Sequence, residues 1–136
     1  MNKVLFCSHG RLCEGMVDTL KVFSLYDENH IKAIPFFVDG VNSNDLLDKW
    51  DSELKSDETA LIFTDVMFGS VNQLIMSKYQ HRENVYIVSG MNLMVVLELI
   101  AIEDLDEDII TNKVQNCKDS IVFTRNLKKN VSEDDE

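Results

Sequence analysis

Proline occurs once in the 136 residues, at Pro35, glycine five times and cysteine three times. So little proline and glycine excludes collagen-like and low-complexity chains. Cys7, Cys13 and Cys117 are an odd number without C-x-x-C spacing, so neither a disulfide framework nor a metal site is expected. No apolar run approaches the roughly 18 residues of a membrane span. Met1-Asn2-Lys3 leads into no signal-like segment, and a cytoplasmic location follows as the expectation. Basic residues are also scarce: 13 Lys and Arg stand against 24 Asp and Glu, a net charge of −11 that argues against a nucleic-acid or anionic-membrane partner. The phosphate loop G-x-x-x-x-G-K-[ST], the dinucleotide fingerprint G-x-G-x-x-G and the nucleophile elbow G-x-S-x-G are all missing, which leaves nucleotide enzymes and serine hydrolases without their usual machinery.

What is present is an ordinary globular composition, 45% apolar and 27% charged, at the length of one domain. One domain is expected over residues 1–126, followed by an acidic tail, 127–136, that closes on Glu133-Asp134-Asp135-Glu136. Residues 4–7 form a short apolar strand that stops at Ser8-His9-Gly10. Leu12, Met16, Leu20 and Phe23 then recur at helical spacing, predicting a helix over 11–25. Residues 31–38 read as a second strand, which Pro35 assigns to an edge because it cannot donate to a ladder. A helix carrying Leu46, Leu47, Trp50 and Leu54 follows, with Ser43 or Asn44 as its cap.

Residues 59–64 are continuously apolar and β-rich, as a buried parallel strand should be, and they end in Asp65. Ser70 caps the predicted helix 71–79. A strand at 85–89 ends in Gly90-Met91-Asn92, before helices at 93–102 and 109–118 and a last short strand at 121–124. Strands alternating with helices predict an α/β fold: an open, mainly parallel, doubly wound sheet with helices on both faces.

In such a sheet, ligands gather beyond the carboxyl ends of the strands. Three of those ends carry functional groups: Ser8-His9-Gly10, then Asp65 with Phe68-Gly69-Ser70, then Gly90-Met91-Asn92. A carboxylate bonded to one imidazole nitrogen fixes the tautomer and leaves the other a lone pair, which makes histidine a nucleophile. His9 and Asp65 are the candidate catalytic pair. Gly10, Gly69, Ser70, Met91 and Asn92 are candidates to hold a phosphoryl group, by turn geometry, a hydroxyl and helix-terminal amides. Phosphoryl transfer asks mainly for position and charge stabilisation, so no cofactor or metal is called for. His30 and His81 lie in polar turns and are read as surface residues, and Cys13 as an inert helix residue.

These motifs resemble the IIA components of the mannose family of the phosphoenolpyruvate-dependent sugar phosphotransferase system. That family ends its first strand in T/S-H-G, follows its third with D-T-x-G-G-S-P and its fourth with G-V-N. Here the same places hold Ser8-His9-Gly10, Asp65-Val66-Met67-Phe68-Gly69-Ser70-Val71 and Gly90-Met91-Asn92, across residues 3–124. Phe68 and Val71 replace a glycine and the proline. The resemblance implies that His9 is phosphorylated, that Asp65 orients it and that Ser70 faces the phosphate. It also implies the phosphocarrier protein HPr as donor, a separate IIB component as acceptor and the membrane components IIC and IID indirectly. A homodimer is a further implication, with the last strand, residues 121–124, antiparallel and able to cross to the partner's sheet. Two variants stay open: a regulatory module with a degenerate loop at Phe68 and Val71, and a phosphoryl donor to a dihydroxyacetone kinase. A receiver domain phosphorylated on Asp65 is a poorer match, because Ser8-His9 stands where its acidic pair would be.

Overall fold

In the computed structural model, which describes residues 1–127, the chain forms two compact units that divide after Asp104. The first holds a four-stranded sheet. Its strands are β1 (Lys3–His9), β2 (Ile31–Phe36), β3 (Ala60–Thr64) and β4 (Val85–Ser89), ordered β2-β1-β3-β4 and parallel throughout. Pro35 does lie on an edge strand, opposite Ser8. The connections are α1 (Leu12–Val22), α2 (Ser43–Glu53) and α3 (Ser70–Tyr79), and α4 (Leu93–Ile100) follows β4.

Both faces of the sheet are covered, which explains why β1 and β3 are apolar without alternation. Leu5, Cys7, Ala60 and Ile62 join Leu47 and Trp50 of α2 and Val71, Ile75 and Tyr79 of α3 in one core cluster. Phe6 and Phe63, on the opposite face, stack at 5.1 Å between ring centroids. Burial pushes the Cys7 thiol up, with Cys13 and Asp65 adding to the shift, so Cys7 is an inert core residue.

Local chemistry shifts several boundaries. The first helix ends before Ser24, which takes a left-handed φ of 57° while the Leu25 N–H donates to the Leu20 carbonyl. The second strand stops at Phe36 because Phe37 has a φ of 63°. Asn42, not Ser43 or Asn44, caps α2 by accepting from the Asp45 N–H; the Ser43 hydroxyl donates instead to the Pro35 carbonyl at 2.6 Å.

From Leu105 the second unit consists of α5 (Glu107–Cys117), capped by Asp106 at the Ile109 N–H, and a 3-10 turn at Lys118–Ser120. The strand expected at residues 121–124 is corrected here. Residues 121–123 are neither helix nor strand, residues 124–127 are helical, and Ile121, Val122 and Phe123 are exposed. An apolar tetrapeptide becomes a strand only where a sheet edge accepts its backbone, and this one pairs with none of the four strands. The antiparallel strand and its exchange in a dimer therefore have no counterpart among the described residues. Of the acidic tail expected at 127–136, residues 128–136 lie outside the described residues.

Candidate functional site

Parallel pairing brings the ends of β1 and β3 side by side, with Cys7 opposite Thr64 as the last pair. The next inward-facing donor on β1, the His9 N–H, has no β3 carbonyl left to meet. Asp65 takes over that role with its side chain: Oδ2 accepts from the His9 backbone N–H at 2.8 Å and lies 2.9 Å from the His9 Nδ1. Its other oxygen, Oδ1, accepts from the Val66 N–H at 3.0 Å.

An ionised carboxylate only accepts, so Nδ1 carries a proton, and in the neutral ring Nε2 keeps its lone pair. Burial pushes the Asp65 carboxyl up, yet the hydrogen bonds from the His9 backbone and ring outweigh it and hold the group below the usual carboxylate value. Asp65 is nearly covered, with 7% of its side chain exposed, whereas the His9 side chain is 43% exposed. The pair thus couples a fixed anion to an open ring.

On the Nε2 side lies the start of α3. The Ser70 hydroxyl is 3.3 Å from Nε2. Gly69 precedes it so closely that a Cβ there would sit 3.0 Å from His9 Cε1 and 3.2 Å from the Val66 carbonyl, so even a methyl group would require the His9 ring or the loop to give by a few tenths of an ångström. The expectation that Ser70 caps α3 is corrected: Gly69 occupies the cap position, no side chain caps the helix, and the Ser70 hydroxyl faces His9 instead. The first-turn amides of α3 are therefore left without a side-chain acceptor, the arrangement that attracts an anion.

Other rim residues play different parts. Gly10 turns the chain with a φ of 61°, and its N–H donates to the Phe36 carbonyl at 2.8 Å. Ser8 is fully buried, donates to the Gly10 carbonyl and accepts from the Cys13 N–H, which secures the start of α1 and removes it from consideration as a nucleophile. Asn92 caps α4 by accepting from the Met94 N–H at 2.9 Å, and Met91 is half-buried in the turn before it. His81 is exposed, whereas His30 is only partly so, with Nδ1 3.2 Å from Asp27 Oδ2.

Two contributors were not foreseen from sequence. Asn72, 2% exposed, accepts from the Thr64 hydroxyl at 2.6 Å and donates to the Met67 carbonyl at 2.8 Å, so a buried amide ties the end of β3 to the loop that carries Gly69 and Ser70. The sequence signal was a polar residue on the inward face of α3. Phe37 is the other, its ring centroid 5.4 Å from that of His9 with 31° between the planes. Leu12, three residues after His9, and Val66, Met67 and Phe68, which follow Asp65, are exposed apolar residues as well.

A histidine held by a buried carboxylate thus stands beside an uncapped helix start, at the carboxyl-end rim of a parallel α/β sheet. Residues 3–118 match the family model described as "PTS system fructose IIA component", and the chain belongs to that family. More particularly, it is a IIA component of the mannose type. It is 31% identical over 103 residues to the sorbose-specific EIIA component of Klebsiella pneumoniae, covering 74% of this chain and 73% of that one. A crystal structure from Klebsiella pneumoniae described as a sugar phosphotransferase-system permease shares the fold, with a TM-score of 0.78, 24% identity and 91% of each chain covered. So does the IIA protein associated with the fucose utilization operon of Streptococcus pneumoniae, with a TM-score of 0.70, 22% identity, and 93% and 95% covered.

Proposed function

We propose that this chain is a cytoplasmic phosphoryl carrier in which His9 Nε2 accepts a phosphoryl group from HPr and passes it to a separate IIB component, upstream of the membrane components IIC and IID. The observation that carries the reading is the single oxygen Asp65 Oδ2, which engages both the backbone and the ring of His9 and leaves Nε2, beside the Ser70 hydroxyl, as the attacking nitrogen. In the transfer, the donor's P–N bond breaks as the Nε2 lone pair forms the new one. No proton need leave Nε2. The phosphorylated ring keeps its Nδ1 proton and becomes cationic, and the adjacent Asp65 carboxylate stabilises that charge.

The Ser70 hydroxyl and the first-turn amides of α3 would take the phosphoryl oxygens, with Gly69 allowing the close approach. Phe68 and Val71 are compatible with this role: Phe68 points outward, 81% exposed, and Val71 is buried in the core, so neither holds Gly69 and Ser70 away from His9. The exposed apolar residues that follow His9 and Asp65 in the chain suit docking by HPr and IIB in turn. The family resemblance supports a homodimer as the working assembly. The test is incubation with phosphoenolpyruvate, enzyme I and HPr, followed by intact mass with and without acid. One phosphoryl group that acid removes, mapped to His9 and lost in His9→Ala, is the expected result; full labelling of His9→Ala would assign the nucleophile elsewhere.

A further inference from the structure

The site is an open one, and a carrier so exposed must hold a labile P–N bond in contact with water between two protein partners. We propose that Phe37 is a positioning residue that packs against the phosphorylated His9 ring and slows its loss to water; the proposal rests on His9 as the phosphoryl acceptor. Pairing of β1 with β2 continues to His9 opposite Phe36, so the residue after Phe36 emerges beside the imidazole. A continued strand would turn the Phe37 side chain to the sheet face opposite Phe36. Its φ of 63° carries it out to the rim instead, where the ring is 73% exposed and sits 5.4 Å from the His9 ring.

A left-handed φ is unfavourable for a bulky residue and persists only where its surroundings hold it. Here they do. The Phe36 carbonyl accepts from the Gly10 N–H at 2.8 Å, the Pro35 carbonyl from the Ser43 hydroxyl at 2.6 Å, and the Val38 carbonyl from the Val41 N–H at 3.2 Å. At 73% exposure Phe37 adds little to the core beyond a tilted contact with the Phe36 ring at 6.4 Å, so core packing does not account for the strain. The strain makes sense for the ring's neighbour.

Phosphorylation turns the imidazole cationic, and a cation within about 6 Å of an aromatic centroid is attracted to its face. Asp65 at Nδ1 and Phe37 against the ring then confine His9 on two sides. In hydrolysis, water attacks phosphorus opposite the P–Nε2 bond, which breaks with its electron pair returning to Nε2. Orthophosphate leaves and water's proton passes to solvent. Fixing the ring and covering one side of it slows that attack, while the edge bearing Nε2 stays open to a protein partner.

The experiment uses the full chain as wild type, Phe37→Ala and Phe37→Tyr. Each is labelled through HPr and freed of donors, and the remaining phosphoprotein is followed by intact mass. Phe37→Ala is expected to label more slowly and to lose its phosphoryl group roughly threefold to tenfold faster, the scale of one cation–π contact, with Phe37→Tyr restoring both. In the unphosphorylated proteins, the His9 ring protons should lose an upfield ring-current shift in Phe37→Ala and regain it in Phe37→Tyr. Equal lifetimes in wild type and Phe37→Ala, or a tyrosine that fails to rescue, would overturn the proposal while leaving His9 as acceptor. A wild type that takes no label would overturn both.

Discussion

Helices α3 and α4 start on the same rim, each after a parallel strand and a glycine-containing turn, yet their first turns are handled in opposite ways. Asn92 caps α4 by accepting from the Met94 N–H, so that helix satisfies part of its own N-terminus. No side chain caps α3, where the cap position is Gly69 and the Ser70 hydroxyl turns to His9. The glycines differ in the same sense. Gly90 has a φ of 95° and open space where a methyl group would sit, with nothing within 4 Å, whereas Gly69 has ordinary dihedrals and a methyl group there would sit 3.0 Å from His9 Cε1. One glycine serves the backbone and the other serves the site. A helix start left open beside a nucleophile is a place for an anion; a helix start already closed contributes stability.

The contrast can be broken or sharpened by substitution, beginning on the α3 side with Asp65. Asp65→Asn should slow phosphoryl acceptance by about a hundredfold, the scale of losing one preorganised electrostatic partner, with a phosphoprotein still detectable by stopped labelling. In the wild type the Asp65 carboxyl should titrate below the usual carboxylate value by NMR. Because the folded value is the lower one, its contribution to stability is present above the ordinary carboxyl pKa and is lost as pH falls through the folded pKa. Gly69→Ala should reduce the labelling rate by about tenfold by pushing the His9 ring aside, with little change in melting temperature. Gly90→Ala should do the reverse, costing about 1 kcal/mol in denaturant unfolding through its positive φ. Asn92 and Ser70, at the two helix starts, complete the comparison. Asn92→Ala should destabilise by about 1 kcal/mol, while Ser70→Ala should leave stability nearly unchanged and slow labelling more than Asn92→Ala does, by several-fold. If Ser70→Ala and Asn92→Ala prove interchangeable in both assays, the distinction between the two helix starts is wrong.

Much of this arrangement was legible in the sequence because it depends on where strands end. His9 is the last residue of β1, Asp65 follows β3 directly and Gly69-Ser70 begin the next helix, and parallel strands bring their carboxyl ends to one rim whatever the loops do. The caps were less legible. Asn42, Ser43 and Asn44 are all capping types in succession, and only the backbone path decides that Asn42 faces the helix while Ser43 faces Pro35. Residues 121–124 read as a strand because four apolar and β-branched residues satisfy the local pattern, which says nothing about whether an edge is free to receive them. Phe37 and Asn72 were missed for related reasons: the role of Phe37 depends on one dihedral, and that of Asn72 on two partners, Thr64 and Met67, that only folding brings into reach.

The double engagement of Asp65 Oδ2 has a consequence for how the protein comes to be competent. His9 and Asp65 are 56 positions apart, so the tautomer that leaves Nε2 available cannot be set by local structure in a nascent or partly folded chain. It arises only after β1 has closed a long crossover onto β3 in the native register, since a slip of one residue would turn His9 away from the carboxylate. Loop closures of this span are among the slower events in folding. The proposed nucleophile is thus assembled by the sheet, and the onset of labelling during refolding is expected to keep time with the closure of its central strand pair.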